Sequence, residues 1–307
     1  MKTSTLCVQL DKEDPFGAIS PPIYQTATFR QPTATDFGEY DYSRSGNPTR
    51  SQLERKLASL EHGKFACAFS SGMAAISAVT RLLESGDEII ASDDLYGGSI
   101  RLLEKILPRQ GISVKYADTT DESAVIDAFT PRTRLVLVET PTNPFLRVSD
   151  IAELAGLAHA RGAILAVDNT MLSPCLQNPL DHGADIVVHS ATKFLSGHSD
   201  VSAGAVVVND TDLAERIGFV QNAEGSALAP FDSWLLLRGL KTLALRVERQ
   251  SSSALTIAEY LAAQPGIKQV YYPGLPGDVR GNVHNSQASG GGSVISFTTG
   301  DPLVSQR

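Results

Sequence analysis

With 307 residues, 42% hydrophobic and 20% charged, the chain can bury a substantial core as one large domain plus a smaller one or part of one. A formal net charge of −8 argues against nucleic acid or an anionic membrane surface as the main partner, though small anionic ligands can still find local sites of opposite charge. No segment approaches the roughly 18 apolar residues of a membrane span, and the start MKTSTLCVQLDKEDPFG has neither a signal-peptide core nor an Arg-rich amphipathic stretch.

The expectation is therefore a cytoplasmic protein, or a plastid one whose transit peptide is missing from this sequence. Cys7, Cys67 and Cys175 lie far apart without CxxC spacing, which reads as buried thiols rather than a disulfide or a metal site. In chain order, Pro and Gly punctuate residues 1–50, as in GAISPPIYQTATFRQPT and YDYSRSGNPTR, and no helical or strand period is sustained. Five Phe and Tyr between Tyr24 and Tyr42 suggest an extended arm that docks on something rather than a disordered tail.

From Ser51 the pattern alternates. SQLERKLASLEH, GMAAISAVTRLLES, GSIRLLEKILPRQ, DESAVIDAF and DIAELAGLAHARG read as helices, and LDHG as a short turn of helix. Between and after them FACAFSS, DEIIAS, SVKYAD, TRLVLVET, AILAVDN, ADIVVHS and AGAVVVND read as strands. Continuous apolar strands alternating with helices predict an α/β fold with a mostly parallel sheet covered on both faces. One long helix is expected from about Phe231 to Ala263, interrupted only by Gly239, then two strand candidates, KQVYYPG and GSVISFTTG, in a small unfinished unit. The domain boundaries read as an arm at 1–50, a large domain at 51–240 and a partial C-terminal domain at 241–307.

Ligands of such sheets sit outside the carboxyl ends of the strands. The residues following the strands are Ser70 to Met73, Tyr96 to Gly98, Glu139 with the TPTNP turn and Asn143, Asp168 and Asn169, and Ser190, Thr192 and Lys193. SSGMAA places a glycine at a helix N-terminus, which favours a phosphate, although alone it is equally an ordinary capped helix. Asp168 ends a buried run, where a carboxylate needs a cationic partner such as a protonated pyridine nitrogen. Tyr96 can stack on a flat ring or be structural, and Lys193 alone would read as a solvated loop lysine. Together the four features specify pyridoxal 5'-phosphate held as a Schiff base. No GxGxxG follows the first strand, and GxxxxGK[ST], HExxH and Cys/His metal spacings are absent. No metal site is expected, and His189 and His198 read as core or supporting histidines.

The segments PPIYQTATF, YDYSRSGNPTR, SSGMAAISA, DDLYGGS, ETPTNP, AVDNT, HSATKFLSGHSD and RGLKTLALR resemble the Cys/Met-metabolism family of fold-type I pyridoxal-phosphate enzymes. The resemblance implies an aspartate aminotransferase-like fold and a homotetramer acting on a small sulfur amino acid, with no nucleic-acid or membrane partner. It implies that Lys193 is the Schiff-base lysine and that Asp168 pairs with the ring nitrogen, both catalytic along with the stacking Tyr96. Gly72 and Met73 would give backbone N–H groups to the phosphate, Ser190 and Thr192 hydroxyls, and Asn143 would lie near the ring hydroxyl. Tyr42 and Arg44 would reach the phosphate of a neighbouring subunit.

Within the family, QNAEGSALAPFDSWLLLRGLKTLALR looks most like plant cystathionine beta-lyases, implying beta-elimination of L-cystathionine to homocysteine, pyruvate and ammonia in methionine biosynthesis. Gamma-synthase or gamma-lyase activity is the alternative. Family members continue past this terminus with an arginine that grips the substrate carboxylate. A further alternative is therefore a truncated, weakly active paralogue that pairs with full-length subunits.

Overall fold

A computed structural model describes residues 1–9, 14, 16–276 and 281–301. In chain order the elements are α1 (Thr3–Val8), α2 (Pro48–Leu60), β1 (Phe65–Phe69), α3 (Gly72–Thr80), β2 (Glu88–Ser92), α4 (Gly97–Lys105), β3 (Ser113–Ala117), α5 (Glu122–Ala128), β4 (Thr133–Glu139) and α6 (Ile151–His159). They continue with β5 (Ile164–Asp168), β6 (Ile186–His189), β7 (Gly204–Val208), α7 (Thr211–Glu224), α8 (Pro230–Leu240), α9 (Leu243–Ala262), β8 (Gln269–Tyr271), α10 (Gly281–Gln287) and β9 (Ser296–Thr298). Two compact units result, one from 1–82 with 185–244, the other from 83–184 with 245–307, of which 302–307 lie outside the described residues.

In the first unit, side-chain caps set the starts of α2, α3 and α7. Asn47 accepts from the Thr49 N–H ahead of Pro48, Ser71 from Ala74 N–H at 3.1 Å, and Asp210 from Leu213 N–H at 2.9 Å. Helix α2 buries Leu53, Leu57 and Leu60 and packs on β1. Strand β7 pairs antiparallel with both β1 and β6. Phe69 at the end of β1 and His189 at the end of β6 therefore both meet the start of β7, at Gly204 and Ala205. The two segments that follow β1 and β6 leave on the same side.

In the second unit β5, β4, β2 and β3 pair in that order, all parallel. Val136, Val138, Leu165 and Val167 of β4 and β5 form one core with Val125 of α5 and Ile151, Leu154 and Ala158 of α6. Each Val, Leu or Ile side chain among them contributes roughly 1.5–3 kcal/mol on burial. A separate cluster of Ala254, Ala258 and Tyr272 lies with the antiparallel pair β8–β9. Among the described residues no helix is long and apolar enough to cross a membrane, and no group of His, Cys, Asp and Glu could hold a metal ion.

The mixed, mostly parallel pairing fits the alternating pattern of the sequence, with four local corrections. The antiparallel direction of β7 has no sequence signature, because a continuous apolar run reads the same either way. Helix α7 was not anticipated, because the third position of its buried stripe, after Leu213 and Ile217, is the polar Gln221. The expected single helix over 231–263 is two, α8 and α9. Gly239 there approaches Ser196 so closely that a Cβ would stand 2.3 Å from the Ser196 carbonyl oxygen, and the helix stops one residue later. Two short helices, α1 within the arm and α10 between β8 and β9, are too brief to show a period. No disulfide joins the three cysteines, and burial, reinforced by the charge of Glu54, pushes the Cys67 thiol up to about 12, which removes it as a nucleophile.

Candidate active site

The first unit holds Gly72, Met73, Ser190, Thr192 and Lys193 on the side where β1 and β6 end. Gly72 opens α3 and presses against Ser190; a Cβ there would come within 2.9 Å of Ser190 Cα. Beneath it, a Cβ on Gly204 would be 2.1 Å from the Ser71 carbonyl oxygen. Glycine at both places lets the strand ends and the N-terminus of α3 close up into a tight cradle, at a helix start whose first N–H groups have no intrahelical partner.

The segment after β6 is a rigid turn. Thr192 donates its N–H to the Ala203 carbonyl at 3.2 Å, and its hydroxyl accepts from Ala203 N–H at 2.9 Å. Lys193 N–H donates to Ser190 O at 3.1 Å, and Gly197 N–H to Lys193 O at 2.8 Å. This backbone is fixed from both sides while the Lys193 side chain is exposed. The Thr192 hydroxyl thus braces the turn, a use that the sequence did not reveal. His189, just before Ser190, is buried at 1% exposure with its Nε2 2.5 Å from Glu61 Oε1. His198 is exposed, its Nδ1 2.7 Å from Ser196 O.

Tyr42 and Arg44 lie on the arm in the same unit. The Arg44 guanidinium donates to Asn222 O at 2.7 Å and to Asn222 Oδ1 at 3.1 Å, and sits 5.4 Å from the Tyr42 ring centroid. Arg50 donates to the carbonyls of Ser43 and Arg44 at 2.7 and 3.0 Å. This end of the arm is therefore anchored on its own chain, with Tyr42 still 43% exposed.

The second unit holds Tyr96, Asn143 and Asp168. Asp168 ends β5 directly beside Glu139 at the end of β4. Its Oδ1 accepts from the N–H of Thr170 at 3.0 Å and from the Thr170 hydroxyl, which stabilises the charged form. Next to it the fully buried Asn169 is locked to Gln177, whose amide also donates to Thr140 O at 3.0 Å. Tyr96 occupies the N-cap position of α4 and is 52% exposed, and its backbone N–H donates to Glu139 Oε2 at 3.0 Å. Asn143 is exposed in a turn shaped by cis peptides at Thr140–Pro141 and Asn143–Pro144.

Glu139 is the group whose importance the sequence concealed, since only the pairing of β4 with β5 brings it beside Asp168. Burial first, then the charge of Asp168, pushes its carboxyl up to about 8, opposed by the backbone bond from Tyr96. Each unit carries donors of a kind that pyridoxal 5'-phosphate takes: in the first a glycine-lined helix N-terminus and an exposed lysine on a braced turn, in the second a carboxylate with two donors from Thr170.

Comparison with known proteins agrees. The family model described as Cys/Met metabolism PLP-dependent enzyme matches residues 3–307. A chloroplastic cystathionine beta-lyase of Arabidopsis thaliana is 55% identical over 304 residues, and one of Mimosa pudica 56% identical over 304 residues. Each alignment covers 99% of this chain and 66% of the relative, so the chain spans just under two thirds of their length. A solved cystathionine gamma-lyase from Lactobacillus plantarum, complexed with L-serine, superposes with a TM-score of 0.96 at 46% identity, covering 99% of this chain and 80% of that one.

Proposed function

Because this chain belongs to the Cys/Met metabolism PLP-dependent enzyme family, we propose that it cleaves L-cystathionine between the beta carbon and sulfur. Water enters, homocysteine leaves, and the remaining three carbons and nitrogen end as pyruvate and ammonia. The two relatives above 50% identity that carry the beta-lyase name support this choice of substrate. The observation that carries the chemistry is the exposed Lys193 on its braced turn, in the same unit as the Gly72 cradle.

Pyridoxal 5'-phosphate, when bound, supplies a sink for the electron pair left as the alpha proton departs. The residues present divide the remaining work. Backbone N–H groups of Gly72 and Met73, with the Ser190 hydroxyl, would hold the phosphate, and Thr192 keeps the turn in place. Lys193 would anchor the cofactor and then take the alpha proton on Nζ. Asp168 would hold the proton on the ring nitrogen, Tyr96 cover the ring face, and Asn143 bond the ring hydroxyl. In this reading 51–240 is the cofactor-binding part, and the arm, residues 1–50, carries Tyr42 and Arg44 to the phosphate of a second copy.

The test is product analysis. Protein loaded with pyridoxal 5'-phosphate and given L-cystathionine should release pyruvate and homocysteine in equal amounts. Release of 2-oxobutyrate and cysteine instead would transfer the reading to gamma-elimination, the activity in the name of the solved neighbour. In the same assay, Arg44→Ala chains mixed and reassembled with Lys193→Ala chains should regain part of the turnover that each lacks alone. Verified mixed oligomers without recovery would mean that each site is served by its own Arg44.

A further inference from the structure

Glu139 has no part in the roles assigned above, yet it is the most enclosed carboxyl of its group, at 5% exposure. Neighbouring parallel strands place paired residues on one face of the sheet about 4.8 Å apart, and Glu139 is paired with Asp168. The other groups facing it within its unit are Asp94 past β2 and the backbone N–H groups of Tyr96 and Asn143. Asp94 accepts from the Thr142 hydroxyl, and Arg147 is engaged with Asp93, Asp94 and Asp118 at 3.3–3.8 Å. Like charges on paired neighbouring positions oppose each other, so one carboxyl holds its proton to higher pH, and burial favours Glu139 as that one. Asp168 has two donors from Thr170 for its charged form.

We propose that Glu139 is a positioning residue that carries the one shared proton of the Glu139/Asp168 pair, so that the pair's single negative charge rests on Asp168 while its other oxygen fixes Tyr96 through the main chain. This rests on the cofactor roles proposed for Asp168 and Tyr96. A pair with one negative charge is neutralised by one protonated ring nitrogen; a doubly charged pair would not be.

The proton can be read without cofactor. Between the free carboxyl value of 4.5 and about 8, the folded protein holds a proton that the unfolded chain has lost. Stability conferred by that proton is complete below 4.5 and is lost as pH rises through the folded value. Urea unfolding of cofactor-free wild type against Glu139→Gln, from about pH 5 to about pH 8, should show the wild-type folding constant falling up to tenfold per pH unit relative to the variant. Parallel curves would overturn the proposal.

Should the glutamine variant not fold, carbon-13 glutamate labelling of wild type supplies the second readout. One carboxyl should titrate far above 4.5 and move down in Asp168→Asn; no such movement would also overturn it. The Tyr96 contact is read by cofactor affinity. Glu139→Gln, which keeps an acceptor for the Tyr96 N–H, should bind pyridoxal 5'-phosphate several-fold more tightly than Glu139→Leu, as loss of one hydrogen bond predicts (about tenfold). Equal affinities would remove the positioning role. Failure of the chain to bind the cofactor at all would sink the proposed function and leave the two titration arms standing as tests of the shared proton.

Discussion

Replacing Lys193 by alanine should lower turnover on L-cystathionine by at least roughly 10²–10⁴-fold, the ordinary contribution of a positioned acid–base group, with loss of the covalent anchor added to it. The protein itself should survive the change. The side chain is exposed and the turn beneath it is held by backbone bonds and by Thr192, none of which involve Nζ, so stability should stay within about 0.5 kcal/mol of wild type. Borohydride reduction followed by proteolysis and mass spectrometry should place the cofactor mass on the wild-type peptide containing Lys193 and on no peptide of the variant. A small primary amine added to the variant should restore some proton transfer. An adduct on another lysine, with turnover intact, would displace Lys193 from its role.

Asp168→Asn is the second large effect, and it separates charge from shape. An asparagine oxygen can still accept from the Thr170 N–H and hydroxyl, so the end of β5 should keep its conformation. What disappears is the negative charge proposed to face the ring nitrogen. Truncating one partner of a buried charge pair costs about 2–5 kcal/mol, equivalent to about 30-fold to several-thousand-fold in turnover. Cofactor affinity should fall far less, because the cradle at Gly72 and the anchor at Lys193 are untouched. Equilibrium binding and steady-state kinetics on the same preparation check the split, and a variant with near-normal turnover would reduce Asp168 to a structural carboxylate.

Much of this organisation could be read from residue order because the signals are local. AILAVD and ADIVVHS announce buried strands by their apolar runs AILAV and IVV, and the hydroxyls, glycine and lysine clustered after ADIVVHS stand out against them. SSGMAA shows its cap and its glycine within six letters. What the sequence hid depends on contacts between distant segments. The carboxyl of Glu139 is unremarkable until β4 lies in register with Asp168 on β5. Gln221 conceals α7 because its burial makes sense only with its amide bonded to the Ala68 carbonyl at 2.8 Å. The bond that the Thr192 hydroxyl accepts from the Ala203 N–H joins positions eleven residues apart and has no local signature.

That bond between Gln221 and Ala68 spans 153 residues of sequence, and β1 likewise waits for β7, because residues 83–184 are interposed and belong to the other unit. On a ribosome adding about 5–20 residues per second, the interval is on the order of ten to thirty seconds. Throughout it the apolar strand FACAF has α2 to pack on but no strand to pair with, while the parallel strands of the second unit emerge one after another and can pair as they come. Non-local pairing of this kind is slow and leaves sticky edges open. A lesion in β1, or in β7 beyond Gly204, would therefore register first as nascent chain lost to aggregation or held by chaperones, before any change in the molecules that do mature.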